Sequence, residues 1–170
     1  MSFAAFARFA FFAVKLFEVL TLREYRPLDF ERLLEIDQAC FVHGIAYTPT
    51  ELRHFLNLKS AVRIVGEQDG EIKGFVIADK FRSRRSDQSM GQIITIDVLE
   101  EARRTGLGSQ LMTAAEEQLR KAGCSYVSLE VAVDNFPAIK FYKKHGYTGL
   151  KILPRYYLNS LDALLMGKKL

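Results

Sequence analysis

Two side chains in the second half of the chain could exchange protons with a substrate. Glu130 belongs to residues 126–133, where period-two alternation puts valine and leucine on one face and Glu130 among small or polar neighbours on the other. A carboxylate in the inner strand of an apolar sheet is costly unless it is solvated or paired, so Glu130 is either a structural residue or a general base. Tyr142, in the helix expected next, is either a core residue or a proton donor to a leaving group.

A glycine-containing loop precedes another helix and is typical of an anion-binding site. An apolar strand at residues 92–98 is followed by the run Arg103-Arg104-Thr105-Gly106-Leu107-Gly108-Ser109. The first N–H groups of a helix have no partner inside it, and with the positive end of the helix dipole they can bind a pyrophosphate, which the two glycines allow to approach. A dinucleotide fingerprint would need a third glycine at Leu111, and a Walker A loop would need Gly-Lys-Ser/Thr, so neither fits.

The composition indicates one domain with an anionic partner. A chain of 170 residues that is 49% hydrophobic can bury a core as a single unit. Its formal net charge of +4 suits an anionic cofactor but is too small for a nucleic-acid-binding signature. Cys40 and Cys124 are far apart in sequence, and the three histidines form no chelating pair. We therefore expect a reducing, cytoplasmic compartment with no disulfide and no metal site.

Hydrophobic periodicity and turn signals predict a mixed α/β fold that positions these residues. Asp69-Gly70 indicates a hairpin, and in the helix after the glycine loop Glu116 is spaced for an exposed ion pair with Arg120. The expected strands lie at residues 21–25, 61–66, 72–78, 92–98, 126–133, 147–153 and 161–168. The expected helices follow Pro27, begin after Thr48 or Thr50, span residues 107–122, and follow Asn135.

The first 20 residues form an almost wholly apolar segment interrupted by Arg8, Lys15 and Glu18. These three charges lie on one stripe of a helix, which is compatible with an amphipathic helix. They argue against a transmembrane span, and their order does not fit a signal peptide. The segment is expected to be an appended helix, a leader from a misplaced translation start or a membrane-surface anchor, in front of a single domain at residues 21–170.

Arg103, Gly106 and Gly108 follow the spacing Arg-x-x-Gly-x-Gly, and residues 92–147 resemble, without gaps, the acyl-CoA core of the GNAT superfamily of acetyltransferases. Within it, the chain is similar to the RimI-type branch of protein N-terminal acetyltransferases, typified by ribosomal-protein-alanine acetyltransferase. That similarity is carried by Leu129-Glu130-Val131, Asn135, Ala138, Phe141-Tyr142, Gly146-Tyr147 and Arg155-Tyr156-Tyr157.

The resemblance implies a GNAT fold whose central strands splay apart around acetyl-CoA, with Glu130 as the base and Tyr142 as the acid. It implies that Tyr156 and Tyr157, in a hairpin loop, close over a peptide N terminus. Tyr47 is assigned with them to the acceptor site, although its loop lacks the branch's usual Pro-Trp. The residues implied for the cofactor are the main chain of Ile96, Asp97 and Val98, then Arg103, Arg104, Thr105, Gly106, Leu107, Gly108, Ser109 and Asn135.

The expected reaction is direct transfer of an acetyl group from acetyl-CoA to an amine, foremost the N-terminal α-amine of a protein such as a ribosomal protein. Glu130 would accept the amine proton directly or through water, backbone N–H groups near Ile96 and Val98 would polarise the thioester carbonyl, and Tyr142 would protonate the CoA thiolate. Two alternatives stay open: acetylation of a small amine such as a polyamine, an aminoglycoside or a free amino acid, and a non-catalytic acyl-CoA-binding module that regulates a partner.

Overall fold

The computed structural model describes residues 19–41, 45–82 and 88–170 of the chain. The segment expected as an appendage, residues 1–20, lies outside the described residues except for its last two. Leu20 already belongs to the first strand, and the Val19 N–H donates to Asp69 Oδ1 at 3.1 Å. Among the helices of the described ranges, none is long and apolar enough to cross a membrane.

The described part of the chain forms one seven-stranded mixed sheet with four α-helices. The strands are β1 (Leu20–Glu24), β2 (Val62–Gln68), β3 (Glu71–Arg82), β4 (Ser89–Val98), β5 (Tyr126–Ala132), β6 (Thr148–Tyr157) and β7 (Leu161–Lys169). The helices are α1 (Phe30–Cys40), α2 (Pro49–Leu56), α3 (Leu107–Lys121) and α4 (Phe136–Lys144). The strand order is β1-β2-β3-β4-β5-β7-β6, in which only β4 and β5 are parallel neighbours.

Local signals set the ends of several elements. Asp69 and Gly70 both have positive φ, the conformation of a type I′ hairpin turn between β2 and β3. Thr48 caps α2: its hydroxyl accepts the Glu51 N–H at 3.3 Å while the Glu51 carboxylate accepts the Thr48 N–H at 2.8 Å. Thr48, rather than Thr50, therefore begins this helix.

Each face of the sheet buries its own hydrophobic core. Successive β3 residues point to opposite faces, so that Phe75 and Ile77 pack against α1 and α2, and Val76 and Ala78 pack against α3. The side of α3 that faces the sheet is fully buried, as its four-residue spacing predicts. It consists of Leu107, Leu111, Ala115 and Leu119. Complete burial of each leucine contributes about 1.5–3 kcal/mol, which holds α3 firmly on the sheet.

The expected exposed pair of Glu116 and Arg120 is wrong. Glu116 is buried, and its carboxylate instead accepts from Lys168 Nζ at 2.7 Å and from the Tyr147 hydroxyl at 3.0 Å. The reason is tertiary, since β7 and Tyr147 cover this side of α3. The helical period shows only that a residue lies off the apolar stripe of its own helix. It does not show whether another element covers that residue.

Candidate active site

The parallel strands β4 and β5 separate soon after they meet. Their pairing is limited to Gly91 with Val127 and Gln92 with Ser128, after which β5 continues along β7 while β4 continues along β3. Beyond this point the facing edges of the two strands have no strand partner, which leaves a wedge-shaped opening in the middle of the sheet. Ile96, Asp97 and Val98 lie on its β4 side.

A β-bulge in β4 lies at the start of this opening. Thr95 pairs with Ile77 and Ile93 pairs with Ala78, so that Ile94 is an extra residue in the ladder. The Ile94 carbonyl accepts the Tyr47 hydroxyl at 3.3 Å instead. Bulges redirect main-chain groups out of the regular ladder, which suits a site that must polarise a carbonyl of a ligand.

The loop before α3 presents unpaired N–H groups to solvent. The Leu107 N–H reaches Thr105 Oγ1 at 3.4 Å and the Gln110 N–H reaches the Gly106 carbonyl at 3.0 Å. The N–H groups of Gly108 and Ser109 have no hydrogen-bond partner within the described ranges. Together with the helix dipole, these two donors form a seat for an anion such as a pyrophosphate.

The backbone of this loop explains its glycines. Gly106 has φ +101°, and Arg104 also has positive φ at +66°, so the chain turns tightly into the helix. Gly108 has ordinary helical geometry, and a Cβ there would lie 3.7 Å from Phe141 and Val98. Gly106 is thus explained by its positive φ, whereas the lack of a side chain at Gly108 leaves space for a ligand in front of the unpaired N–H groups.

The side chains of the remaining predicted cofactor residues bind main-chain groups near the loop or pack in the core. Arg103 Nε donates to the Val98 carbonyl at 3.0 Å, and Thr105 Oγ1 donates to the Ala102 carbonyl at 2.8 Å. The Leu107 side chain is fully buried in the core and cannot contact a ligand, so only its main chain can line the seat. Asn135 caps α4 by accepting the Ala138 N–H at 3.2 Å, which leaves its amide nitrogen available at the exposed end of β5.

Glu130 lies on the β5 face predicted from the alternation, and it is held by a residue that the sequence interpretation missed. Gln92 Nε2 donates to Glu130 Oε2 at 3.0 Å. Gln92 sits where β4 and β5 still pair, so its amide fixes the carboxylate at the start of the opening. The sequence signal that could have identified Gln92 is its polar side chain in an otherwise apolar strand, but only the strand pairing shows that its partner is Glu130.

Tyr142 reaches the same opening from the other face of the sheet. It projects from α4, packs partly buried against the α3-side core, and its ring lies 5.4 Å from Phe141 and 6.0 Å from Tyr147. Burial, followed by the negative charge of Asp97 and the nearby Tyr157, raises the pKa of Tyr142 above its usual range. Tyr142 therefore stays protonated at neutral pH.

Of the predicted acceptor-site tyrosines, Tyr156 and Tyr157 lie beside Glu130, and Tyr47 lies near these two tyrosines. The Tyr157 hydroxyl donates to the Glu130 carbonyl at 3.3 Å, and the rings of Tyr156 and Tyr157 lie 5.0 Å apart at 83°. Burial, then the neighbouring Tyr156 and Glu130, raises the pKa of Tyr157 to about 12. Burial is also the main reason for the raised pKa of Tyr47, with Asp97, Asp37 and the two tyrosines contributing.

Tyr156 and Tyr157 are not in a hairpin loop, as was expected, but at the end of β6. The ladder between β6 and β7 shifts register between Leu153 and Tyr157, and Arg155 takes φ +52°. The Arg155 N–H donates to Asp162 Oδ1 at 2.8 Å in place of a ladder partner. This irregularity lengthens β6 beyond the predicted end and turns the Tyr157 side chain toward Glu130.

The fold and this geometry define the class of protein to which the chain belongs. A mixed sheet that splays between two parallel strands, unpaired N–H groups at a helix start and a carboxylate beside the opening are the parts of an acyl-CoA-dependent acyltransferase. The family model described as "Acetyltransferase (GNAT) family" matches residues 30–147, and the chain belongs to this family. The predicted fold and family are thereby confirmed.

The chain is similar to named proteins over most of its length. An N-alpha-acetyltransferase of Sulfurisphaera tokodaii is 32% identical over 87% of this chain and 95% of that protein. The crystal structure of Ard1 from Thermoplasma volcanium is 33% identical, with a TM-score of 0.78 over 89% of this chain and 97% of that one. The ribosomal-protein-S18-alanine N-acetyltransferase from Escherichia coli shares the fold at 21% identity, with a TM-score of 0.75 over 89% of this chain and 94% of that one.

Proposed function

We propose that this chain transfers the acetyl group of acetyl-CoA to the N-terminal α-amine of a protein. The observation that carries the proposal is that Tyr156 and Tyr157 lie beside Glu130 and Tyr47 lies near both tyrosines, on one side of the opening that Tyr142 enters from the other. Aromatic rings and hydroxyls around a carboxylate suit an amine that arrives attached to a peptide main chain. Similarity to the N-alpha-acetyltransferase of S. tokodaii supports the same acceptor.

Acetyl-CoA fits the unpaired donors of the site. We assign its pyrophosphate to the N–H groups of Gly108 and Ser109, with the exposed Arg104 as a nearby cation. The free main-chain edge around Ile96 suits the pantetheine arm, and the Asn135 amide nitrogen suits one of its carbonyls. When bound, acetyl-CoA supplies the thioester that the amine attacks.

One residue accepts the amine proton, and a second stabilises the leaving thiolate. Glu130, oriented by Gln92, accepts a proton from the acceptor amine directly or through a water molecule. Tyr142 keeps its proton throughout the working range because its pKa is raised. The same raised pKa makes complete transfer to a thiolate unfavourable, so we assign Tyr142 as a hydrogen-bond donor that stabilises the negative charge developing on the sulfur.

We also propose a cytoplasmic location and an acceptor class that includes ribosomal-protein N termini. Cys40 and Cys124 are free thiols, which suits a reducing compartment. The sequence resemblance to the RimI-type branch supports the ribosomal acceptor.

The proposal is tested by measuring acetyl-CoA turnover with two panels of acceptors. One panel contains peptides that differ at the first residue, and the other contains a polyamine, an aminoglycoside and free amino acids. We expect turnover with peptides and none with the same peptides after their α-amine is blocked, even when they contain a lysine. Turnover with a small amine alone would favour the small-amine alternative, and acetyl-CoA binding without any turnover would favour a non-catalytic module.

A further inference from the structure

A histidine that follows α4 contacts the start of α3, and the reaction described above gives it no role. His145 Nε2 lies 3.1 Å from Ser109 Oγ, a hydrogen-bond distance. The Ser109 main chain supplies one of the two unpaired N–H groups of the anion seat. A titratable ring is therefore one hydroxyl group away from the place to which we assign the pyrophosphate.

Contacts with α4 and β7 hold His145 in place. Its main-chain N–H donates to the Tyr142 carbonyl at 3.0 Å, and its own carbonyl accepts from Lys168 Nζ at 2.8 Å. Its ring lies 4.6 Å from the ring of Phe141, which in turn lies 3.7 Å from the position of a Cβ at Gly108. The half-buried ring is thus held beside the seat by the fold.

The hydroxyl groups of Ser109 and Thr105, both near the seat, differ in the use of their protons. Each hydroxyl has one proton to donate. The Thr105 hydroxyl donates to the Ala102 carbonyl at 2.8 Å, so it has no proton left for a ligand. Ser109 Oγ can accept a proton from His145 Nε2 and donate its own to a ligand, or it can donate to an unprotonated Nε2. The position of the proton on the ring decides between the two.

The surroundings of His145 favour the neutral ring in the free protein. Burial, opposed by the Glu116 carboxylate of α3, lowers the pKa of His145 below its usual range, and the ammonium groups of Lys168 on β7 and Lys144 lower it further. A neutral ring carries its proton on either nitrogen. With an anion in the seat, the proton is favoured on Nε2, because Ser109 can then donate to the anion.

We propose that His145 is a positioning residue for acetyl-CoA: its Nε2–H donates to Ser109 Oγ, and the Ser109 hydroxyl becomes a third donor to the pyrophosphate. The seat then offers the N–H groups of Gly108 and Ser109 together with one oriented O–H. This assignment rests on the acetyl-CoA site of the proposed function and not on the acceptor. It predicts that His145 and Ser109 act together in binding acetyl-CoA, and that binding tightens at acid pH.

A double-mutant cycle tests the contact between the two side chains. His145→Phe keeps a ring against Phe141 but has no donor, and Ser109→Ala removes the hydroxyl. We expect Ser109→Ala to weaken acetyl-CoA binding about tenfold in the wild type, the effect of one hydrogen bond to a charged group, and by less than about threefold in the His145→Phe background. His145→Gln should restore the larger loss, because the glutamine amide nitrogen can replace Nε2. Calorimetry gives the affinities, and equal losses in the wild-type and His145→Phe backgrounds would overturn the proposal.

The pH dependence of acetyl-CoA affinity tests the imidazole itself. At acid pH the ring becomes an imidazolium, which still donates to Ser109 and adds a positive charge near the pyrophosphate, so binding should tighten as pH falls. We expect the ratio of the His145→Gln Kd to the wild-type Kd to increase about three- to tenfold from about pH 8 to about pH 5. Titration of the cofactor's own phosphate cancels in this ratio, because both proteins bind the same ligand. A ratio that does not change with pH would overturn the proposal.

His54 provides a matched control, since it is an exposed histidine on α2, across the sheet from α3. The ratio of the His54→Gln Kd to the wild-type Kd should stay within about twofold over the same pH range, because solvent screens an exposed charge at a distance. An equal pH dependence for His54→Gln and His145→Gln would overturn the assignment to His145. If the wild type binds acetyl-CoA but acetylates no peptide, the proposed function fails, while these affinities still decide on His145.

Discussion

The proton-transfer assignments depend on the immediate neighbours of two residues. Glu130 is a carboxylate oriented by one amide, that of Gln92, at the point where two strands part. The Tyr142 hydroxyl makes no hydrogen bond to any residue in the described ranges, so it is available to a ligand. Each side chain is therefore held in position by the protein and still has a polar group available for a ligand.

Removal of either group should lower the rate more than the affinity for acetyl-CoA. A positioned base contributes roughly 10² to 10⁴ in rate, and one preorganised hydrogen-bond donor to a developing anion contributes about 10² to 10³, so we expect Glu130→Gln and Tyr142→Phe to lower kcat within those ranges. Steady-state kinetics and calorimetry with acetyl-CoA provide the measurement. If both variants keep a near-wild-type kcat while chemistry is rate-limiting, the two residues are structural.

The pH dependence should distinguish the two roles. An N-terminal α-amine has a pKa of about 7.7–8.0, so most of the acceptor is already neutral at mildly alkaline pH and needs less help from a base. Glu130→Gln should therefore recover part of its activity from pH 7 to pH 9. Tyr142→Phe should not recover in parallel, because the departing sulfur still lacks its donor. Parallel profiles would contradict the assignment of Glu130 as the base and Tyr142 as the hydrogen-bond donor to the sulfur.

Among the helices and strands, the start of α3 is the feature to which we assign the acetyl-CoA pyrophosphate. Its helix dipole and the two unpaired N–H groups meet at Gly108, and Phe141 of α4 approaches the same point. The position tolerates a methyl group but has no room for a second anion once a pyrophosphate is bound.

Gly108 offers a matched pair of substitutions at this seat. Gly108→Glu should abolish measurable acetyl-CoA binding because its carboxylate competes for the donors and repels the pyrophosphate. Gly108→Ala should keep binding within about tenfold, since its Cβ meets neighbours only at 3.7 Å, an ordinary contact. Calorimetry with acetyl-CoA gives both affinities, and circular dichroism checks the fold. Equal affinities for the two variants would show that the pyrophosphate binds elsewhere.

The ion pair between α3 and β7 makes a prediction about stability. Lys168 Nζ lies 2.7 Å from Glu116 Oε2, and their side chains are 18% and 8% exposed. Lys168→Met should cost about 2–3 kcal/mol, somewhat below the full cost of leaving a buried charge unpaired, because Tyr147 still donates to Glu116. The double change Glu116→Gln with Lys168→Met should recover most of this loss. Denaturant unfolding measures both, and equal stability of the single and double variants would contradict the buried-pair interpretation.

At the scale of the whole molecule, the sheet consists of two antiparallel halves joined at two residue pairs. Strands β1 to β4 form one half and β5, β7 and β6 form the other, with the opening between them. At one end of the sheet, β1 is separated from the opening by β2 and β3 and contributes through packing and its ion pairs, whereas β6 at the other end brings Tyr157 to Glu130. Arg23 in β1 contacts Asp29 and Glu67, each at 2.7 Å.

Two truncations test which part of the N-terminal region the catalytic domain requires. Removal of residues 1–18 leaves β1 and every described residue of the site in place, so we expect acetyl-CoA binding and turnover to stay within about twofold of the full chain. Removal of residues 1–24 also deletes β1 and the Arg23 ion pairs, and should lower the thermal midpoint or prevent folding. If the shorter truncation binds acetyl-CoA normally but does not turn over, residues 1–18 shape the acceptor site.

Features that depend on residues close together in the chain could be predicted from the sequence. The anion loop before α3, the cap at Thr48, the turn at Asp69-Gly70, the buried stripe of α3 and the face of β5 that carries Glu130 all follow from backbone preferences and periodicity within a few residues. They were predictable because helix starts, tight turns and strand alternation are set locally. Strand ends were less predictable, since β6 continues through an irregularity that only its partner strand supports.

The contacts between side chains distant in sequence could not be predicted and are visible only in the folded chain. Gln92 contacts Glu130 because β4 and β5 pair at two adjacent residue pairs, Cys40 contacts the Val98 carbonyl because α1 packs on β4, and Glu116 is buried because β7 covers α3. These contacts join positions separated by 38, 58 and 52 residues. These contacts are strong because they are buried. A sequence pattern indicates which face of one helix or strand is buried, but it does not indicate which residue of another element will contact that face.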